Sequence, residues 1–223
     1  MKKNEKKQLI SGGRLIAIFV IWTWLIQCID VRPAGQSGTE IGFAAFNCWF
    51  HDMTGVHMWL YTITDWLGLV PLFVCIVFGG MGLGQLLKRK SLFKVDRDLI
   101  LLGMYYIIVI FGYLFFEMFP INYRPILIEG ILEASYPSST TLLVLSVMPT
   151  LIFQVKRKIE NRAAKKIICF LTIAFSAFMV IGRLVAGVHW FTDIMGAVIL
   201  SAGLFILYKA AVMLSCDETG NKW

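Results

Sequence analysis

A chain of 223 residues that is 58% hydrophobic and only 16% charged lies far from soluble domains, where about a quarter of residues are charged. A soluble bundle of buried helices would need a polar exterior that this composition cannot supply. The formal net charge of +7 sits in clusters beside apolar runs, so it marks a surface facing anionic lipid headgroups and gives no sign of a nucleic-acid partner.

The chain opens with "MKKNEKK", followed by the charge-free run Leu15–Ile29. A positive leader before an apolar run suits a signal peptide, but no small-x-small cleavage site follows, and "LIQCID" puts Gln27 before Cys28. The run is therefore expected to be an uncleaved first helix. Residues 30–66 form the longest loop. Its turn-like "RPAGQSGTE" precedes Phe43, Phe46 and Phe50 at helical spacing, with Trp49, Trp59 and Trp66 nearby. Aromatic residues gather at membrane interfaces, so an interfacial helix is expected there. His51, Asp52 and His57 in this loop match no firm metal-ligand spacing and are read as ordinary polar residues.

Five further charge-free blocks follow: Leu67–Leu87, Leu99–Phe116, Ser138–Val155, Ile167–Gly182 and Phe191–Tyr208. A membrane-crossing helix needs roughly 17–25 mostly apolar residues. The expected architecture is all-α: one domain over residues 1–223 with six transmembrane helices, at about 15–29, 67–87, 99–118, 138–155, 167–185 and 190–208. Within the second, Gly80-x-x-x-Gly84 lacks the lysine of a phosphate-binding P-loop and predicts close helix packing. Alternating the connecting loops puts eighteen Lys and Arg on one side and only Arg32, Arg124 and Arg183 on the other. By the positive-inside rule both termini are cytoplasmic. The five cysteines show neither metal-site nor disulfide spacing.

The polar residues on the non-cytoplasmic side carry the chemistry. Arg124 in "NYRP" and Arg183 near the end of the fifth helix run against the charge bias, which suggests an anion to bind. In "YPSSTT", Pro137 suits a first helical turn, and Ser138, Ser139 and Thr140 offer hydroxyls and the free amides of a helix start, a ready anion cradle. His189 and Asp193 are four residues apart, a spacing that stacks side chains on one helix face. A carboxylate beside an imidazole fixes its tautomer and stabilises the cation formed in reaction. Together these residues describe phosphoryl transfer to a histidine.

With these residues in place, the chain resembles the type 2 phosphatidic acid phosphatase family of integral-membrane lipid phosphatases. That family carries Lys-x6-Arg-Pro, then Pro-Ser-Gly-His, then Ser-Arg-x5-His-x3-Asp. Here "GRLVAGVHWFTD" keeps Arg183, His189 and Asp193 at full spacing, while "RP" at Arg124-Pro125 and "PSST" are remnants of the first two parts. The resemblance implies that His189 is the nucleophile of a phosphohistidine intermediate and Asp193 its partner. It implies Arg124 and Arg183 as phosphate clamps, Ser138, Ser139 and Thr140 as donors, and no metal or other cofactor.

Three positions depart from the pattern. Gly182 replaces a serine, Glu117 replaces the lysine, and Thr140 replaces the histidine that protonates the leaving group. An alkoxide is about as basic as hydroxide, near pKa 15.7, whereas a phosphate has a second pKa of about 6. Losing the acid therefore favours lipid diphosphates, such as a polyprenyl diphosphate, over monoesters. Glu117, Glu129 and Glu133 are the candidate replacement acids. The expected function is dephosphorylation of a lipid phosphate or diphosphate at the outer face of a plasma or bacterial inner membrane. Two alternatives stay open: an impaired relative that binds or moves lipid phosphates, and a Ser-His-Asp hydrolase using Ser138 or Ser139. The second lacks the Gly-x-Ser-x-Gly elbow.

Overall fold

The computed structural model describes residues 3–218. In chain order it comprises α1 (Lys3–Cys28), β1 (Arg32–Ala34), β2 (Thr39–Ile41), α2 (Ala44–Thr54), α3 (Met58–Leu67), α4 (Leu69–Arg89), α5 (Arg97–Met118), α6 (Ser139–Lys158), α7 (Arg162–Val185) and α8 (Phe191–Glu218). Six helical stretches among the described residues are long and apolar enough to cross a bilayer: Asn4–Cys28, Met58–Arg89, Arg97–Met118, Ser139–Lys158, Arg162–Val185 and Phe191–Ser215. Helices suit this setting because they satisfy every backbone group internally.

Several boundaries differ from the sequence expectation: α7 begins at Arg162 instead of 167, α8 runs to Glu218 instead of 208, and the first two spans both begin earlier. The basic leader from Lys3 onward continues directly into α1. The second span begins at Met58 instead of near Leu67, because Gly68 keeps helical angles (φ −58, ψ −17) and joins α3 to α4. Asp65 had masked this continuity, since one charge was enough to end the apolar run. The interfacial helix is α2, which carries Phe46, Trp49 and Phe50; Phe46 and Trp49 are exposed, while Phe46 and Phe50 both meet Phe191 of α8.

Helix α8 runs along the centre, against α1 and α6 most extensively and then α5. The main core draws Leu102, Tyr105 and Val109 from α5, Val144 and Val147 from α6, and Met179 from α7. Polar groups inside the bundle pair with one another. Tyr105 donates to the Ser146 carbonyl at 3.0 Å, Tyr106 and Thr150 share a hydrogen bond of 2.7 Å, and Gln154 donates to Tyr208 at 3.1 Å. Such bonds are worth about 0.6 kcal/mol each in a membrane interior.

Close backbone approach occurs where the sequence did not point. A Cβ on Gly80 or Gly84 would meet nothing within 4 Å, so this pair lies on an open face of α4 and the expected packing role is corrected. Helix α4 sits at the edge of the bundle, where only 6% of the span's window is buried. Tight contact falls instead at Gly196 of α8, where a Cβ would lie 2.4 Å from the Tyr136 ring.

The β1–β2 hairpin, paired Pro33↔Glu40, straps the loop between α5 and α6. Gln36 donates its amide to the Pro125 carbonyl (2.9 Å), and its side chain accepts from the Leu127 amide (3.0 Å). Gly35, at φ +73, leaves room there for the Pro125 carbonyl.

Gly196→Ala should therefore destabilise the protein by about 1–3 kcal/mol through overpacking. Gly80→Ala should be neutral or mildly stabilising, by up to about 1 kcal/mol of helix propensity. Thermal unfolding of both variants in the same detergent checks the pair.

Candidate active site

The predicted polar residues meet at the end of the bundle that carries the hairpin and α2. Asp193 sits in the first turn of α8 and is fully buried. Its carboxylate accepts from the Trp190 amide (2.9 Å), from Asn122 Nδ2 (3.0 Å) and from the Ser135 hydroxyl in a short contact. The reach back to Trp190 is the acidic half of a capping box, with a carboxylate three residues into the helix serving the residue before it. Through Asn122 and Ser135 the same group also anchors both ends of the loop that carries Arg124.

Asp193 lies beside His189, but the nearer partner of the imidazole is a backbone carbonyl. The imidazole Nδ1 lies 3.2 Å from the Ser135 carbonyl and 3.9 Å from Asp193 Oδ2. His189 precedes α8, yet the spacing of four still brings the two side chains within 3.9 Å. The carbonyl requires a proton on Nδ1, which leaves Nε2 unprotonated and nucleophilic. Nε2 is buried and has no hydrogen-bond partner among the described residues. Burial, then the nearby Arg124 and Arg183, hold the imidazole well below its ordinary pKa of 6.5, so it is neutral at neutral pH.

Arg124 and Arg183 are 7% and 1% exposed, unusual values for the most polar side chain. Arg183 Nε and Nη1 and Arg124 Nη1 have no hydrogen-bond partner among the described residues. Arg183 Nη2 is 3.6 Å from Asp65. Arg124 Nε is 3.0 Å from Glu133 Oε2, yet without the alignment of a hydrogen bond. Both guanidinium groups lie over the ring of Tyr61, at 4.9 Å for Arg183 and 5.7 Å for Arg124.

The helix-start residues divide. The Ser138 amide donates to the Asp193 carbonyl (3.2 Å) and its hydroxyl to Thr141 (3.1 Å), so Ser138 ties α6 to α8 and is no free phosphate donor or nucleophile. The amides of Ser139, Thr140 and Thr141 have no intrahelical partner at a helix start. Thr140 and Asp65 stand at the polar end of a groove of about 420 Å³ between α4, α5 and α6, otherwise walled by residues such as Leu72, Val109, Ile110 and Leu143. Of the candidate acids, Glu133 is at the arginines, Glu117 is exposed at the last turn of α5, and Glu129 is exposed at the tip of a tight turn (φ +51).

Tyr61, Asp65, Asn122 and Ser135 escaped the sequence reading. Asn122 and Ser135 stand beside quoted motifs, within "NYRP" and just before "YPSSTT"; Tyr61 and Asp65 carry no local signal. His51 and His57 are structural: their Nε2 atoms lie 3.1 Å and 2.9 Å from the Gly187 and Thr54 carbonyls, which helps fix the turn before His189.

The arrangement can hold a buried oxyanion between two guanidinium groups and present it to a neutral imidazole nitrogen. Charge-assisted bonds from arginine are the strong, shape-selective kind for such a ligand.

No curated protein sequence matches the chain. Over the whole fold it is similar to the crystal structure of the first transmembrane PAP2-type phosphatidylglycerolphosphate phosphatase from Bacillus subtilis. The TM-score is 0.61 at 17% identity, covering 95% of this chain and 98% of that one. The sequence pattern of the PAP2 superfamily matches residues 99–215, which hold Arg124, Arg183, His189 and Asp193. With that match spanning just over half of its length, this multi-pass integral membrane protein belongs to the PAP2 superfamily.

Proposed function

We propose that the protein is a membrane lipid phosphatase that acts through a phosphohistidine on His189 and prefers a lipid diphosphate. The observation that carries this reading is the buried trio of Arg124, Arg183 and His189: Arg124 Nη1, Arg183 Nε and Nη1, and His189 Nε2 have no hydrogen-bond partner among the described residues. A buried polar group left unpaired costs about 1–3 kcal/mol, more if charged, so the two guanidinium groups favour a bound anion, and the free lone pair on Nε2 faces it as a nucleophile. The neighbouring crystal structure is of a phosphatase, which agrees with this chemistry.

In the proposed reaction the substrate phosphate displaces Glu133 and Asp65 from the arginines, and the tail lies in the groove that ends at Thr140. Nε2 of His189 attacks phosphorus, the bond to the leaving oxygen breaks, and its electron pair leaves with that oxygen. Water then attacks the phosphohistidine, releasing inorganic phosphate and restoring the imidazole. The Ser135 carbonyl receives the Nδ1–H of the transient imidazolium, with Asp193 close behind it. The arginines supply the positive charge at the transferring group, so the scheme calls on no metal ion. Thr140 holds its proton too tightly to give it up. Glu133, as the partner of an arginine, serves as an acceptor. A leaving group stable without a proton fits these constraints, and a lipid phosphate leaving from a diphosphate is one. The distribution of basic residues supports a site at the non-cytoplasmic end of the bundle.

Purified protein should release phosphate from an isoprenyl diphosphate faster than from phosphatidate. His189→Ala should reduce both by at least about a thousandfold, a modest share of what losing a nucleophile costs, and should abolish trapping of labelled phosphohistidine. Lipid binding without turnover or trapping in the wild type would sink the proposal and favour a binding or transport protein. Arg183→Lys should lose about tenfold or more in kcat/KM, because lysine cannot grip an oxyanion with two parallel bonds.

The pH dependence has a definite sign. A histidine held below 6.5 stays unprotonated as the pH falls, so the acidic loss of kcat/KM due to it lies below its ordinary value. Arg124→Gln removes one of the causes and should move that limb upward, though not to the ordinary value, because burial is the largest cause. Comparing both proteins on one substrate cancels the substrate's own ionisation.

A further inference from the structure

Arg124 arrives on the loop after α5 and Arg183 on the last turn of α7, so nothing covalent sets the distance between them. Each is a buried cation, and the two repel. Their carboxylate partners are loose, since the side chains of Glu133 and Asp65 are 36% and 56% exposed. An incoming phosphate would also displace them. What both arginines share is the ring of Tyr61, at 4.9 and 5.7 Å from its centre. The ring is itself held, packed against a cluster that includes Leu60 of its own helix, Ile126 of the loop bearing Arg124, and Ala186 and Val188 just after α7, which bears Arg183.

We propose that Tyr61 is a positioning residue of the phosphate clamp, its ring holding the guanidinium groups of Arg124 and Arg183 at one spacing beside His189. This rests on the reading of that trio as a phosphate site. An aromatic face attracts cations through its quadrupole, and more strongly when they are desolvated. Because it is neutral, it steadies both arginines without neutralising them, so the charge stays available to the substrate. A carboxylate in the same place would compete with the phosphate.

The departure at Gly182 supports this reading. A Cβ there would lie 2.8 Å from the Thr64 methyl and 3.6 Å from a Leu60 methyl. The glycine beside Arg183 therefore lets α3 approach α7 closely enough to bring Tyr61 under the guanidinium. A larger residue at 182 would push α3 away.

The test uses orthovanadate as a phosphate-sized oxyanion and reads its Kd from the rise in unfolding temperature of the full chain in detergent. Tyr61→Phe should keep the wild-type Kd within about twofold, since the ring is retained. Tyr61→Leu should weaken binding about tenfold, the size of a partly desolvated cation–π contact. Replacing Tyr61 by phenylalanine with one, two and three ring fluorines keeps the shape while draining the face of negative charge, and Kd should rise stepwise. That series stays informative if Tyr61→Leu does not fold. A flat fluorination series, or Tyr61→Phe as weak as Tyr61→Leu, would overturn the proposal while leaving the phosphate site standing. A purely packing role would lower the unliganded unfolding temperature and leave Kd unmoved, which also overturns it. A wild type indifferent to orthovanadate would overturn the phosphate reading first, and this proposal with it.

Discussion

Two guanidinium groups buried beside one imidazole set the terms for the rest of this molecule. Like charges repel, more strongly as water is excluded, and taking each cation out of water adds to the cost. The chain meets this cost in layers. Glu133 and Asp65, both partly exposed, pair with the arginines, and the ring of Tyr61 lies against both guanidinium groups. The same field helps keep His189 unprotonated. A site poised this way favours an anion for electrostatic reasons before any detail of shape is considered.

Holding that site requires a rigid frame, and Asp193 provides its centre. As the acidic member of a helix cap it would be unremarkable. Here its carboxylate also takes hydrogen bonds from Asn122 and Ser135, joining the start of α8 to the loop that bears Arg124. The Ser135 carbonyl in turn meets His189. Orientation of the proposed nucleophile and placement of one proposed clamp arginine thus depend on the single loop between α5 and α6, strapped from outside by Gln36 of the hairpin. This gives the carboxylate a mainly architectural task, with its electrostatic support reaching the imidazole from 3.9 Å.

The departures at Thr140 and Gly182 look different once placed in space. Thr140 lies at the polar end of the apolar groove, beside Asp65, where a hydroxyl is compatible with both headgroup and tail. Gly182 makes room for α3. Ser138, two residues before Thr140, is engaged in structural hydrogen bonds, which removes one of the two serines a serine hydrolase could use.

Length, apolar runs and the asymmetric placement of Lys and Arg were sufficient for six spans, because burying a helix in lipid is a one-dimensional requirement on composition. The spacing Arg183, His189, Asp193 was equally legible, since those residues lie within one short stretch of chain. Gly80 and Gly84 misled, because a small-residue pattern does not say which face of a helix finds a neighbour. Only the tertiary structure decided which groups meet. It brought Tyr61 and Asp65 from α3 to arginines more than fifty residues away, gave Ser135 the contact expected of Asp193, and turned Ser138 inward. Contacts between distant segments depend on how helices pack and where loops return, and local sequence encodes neither.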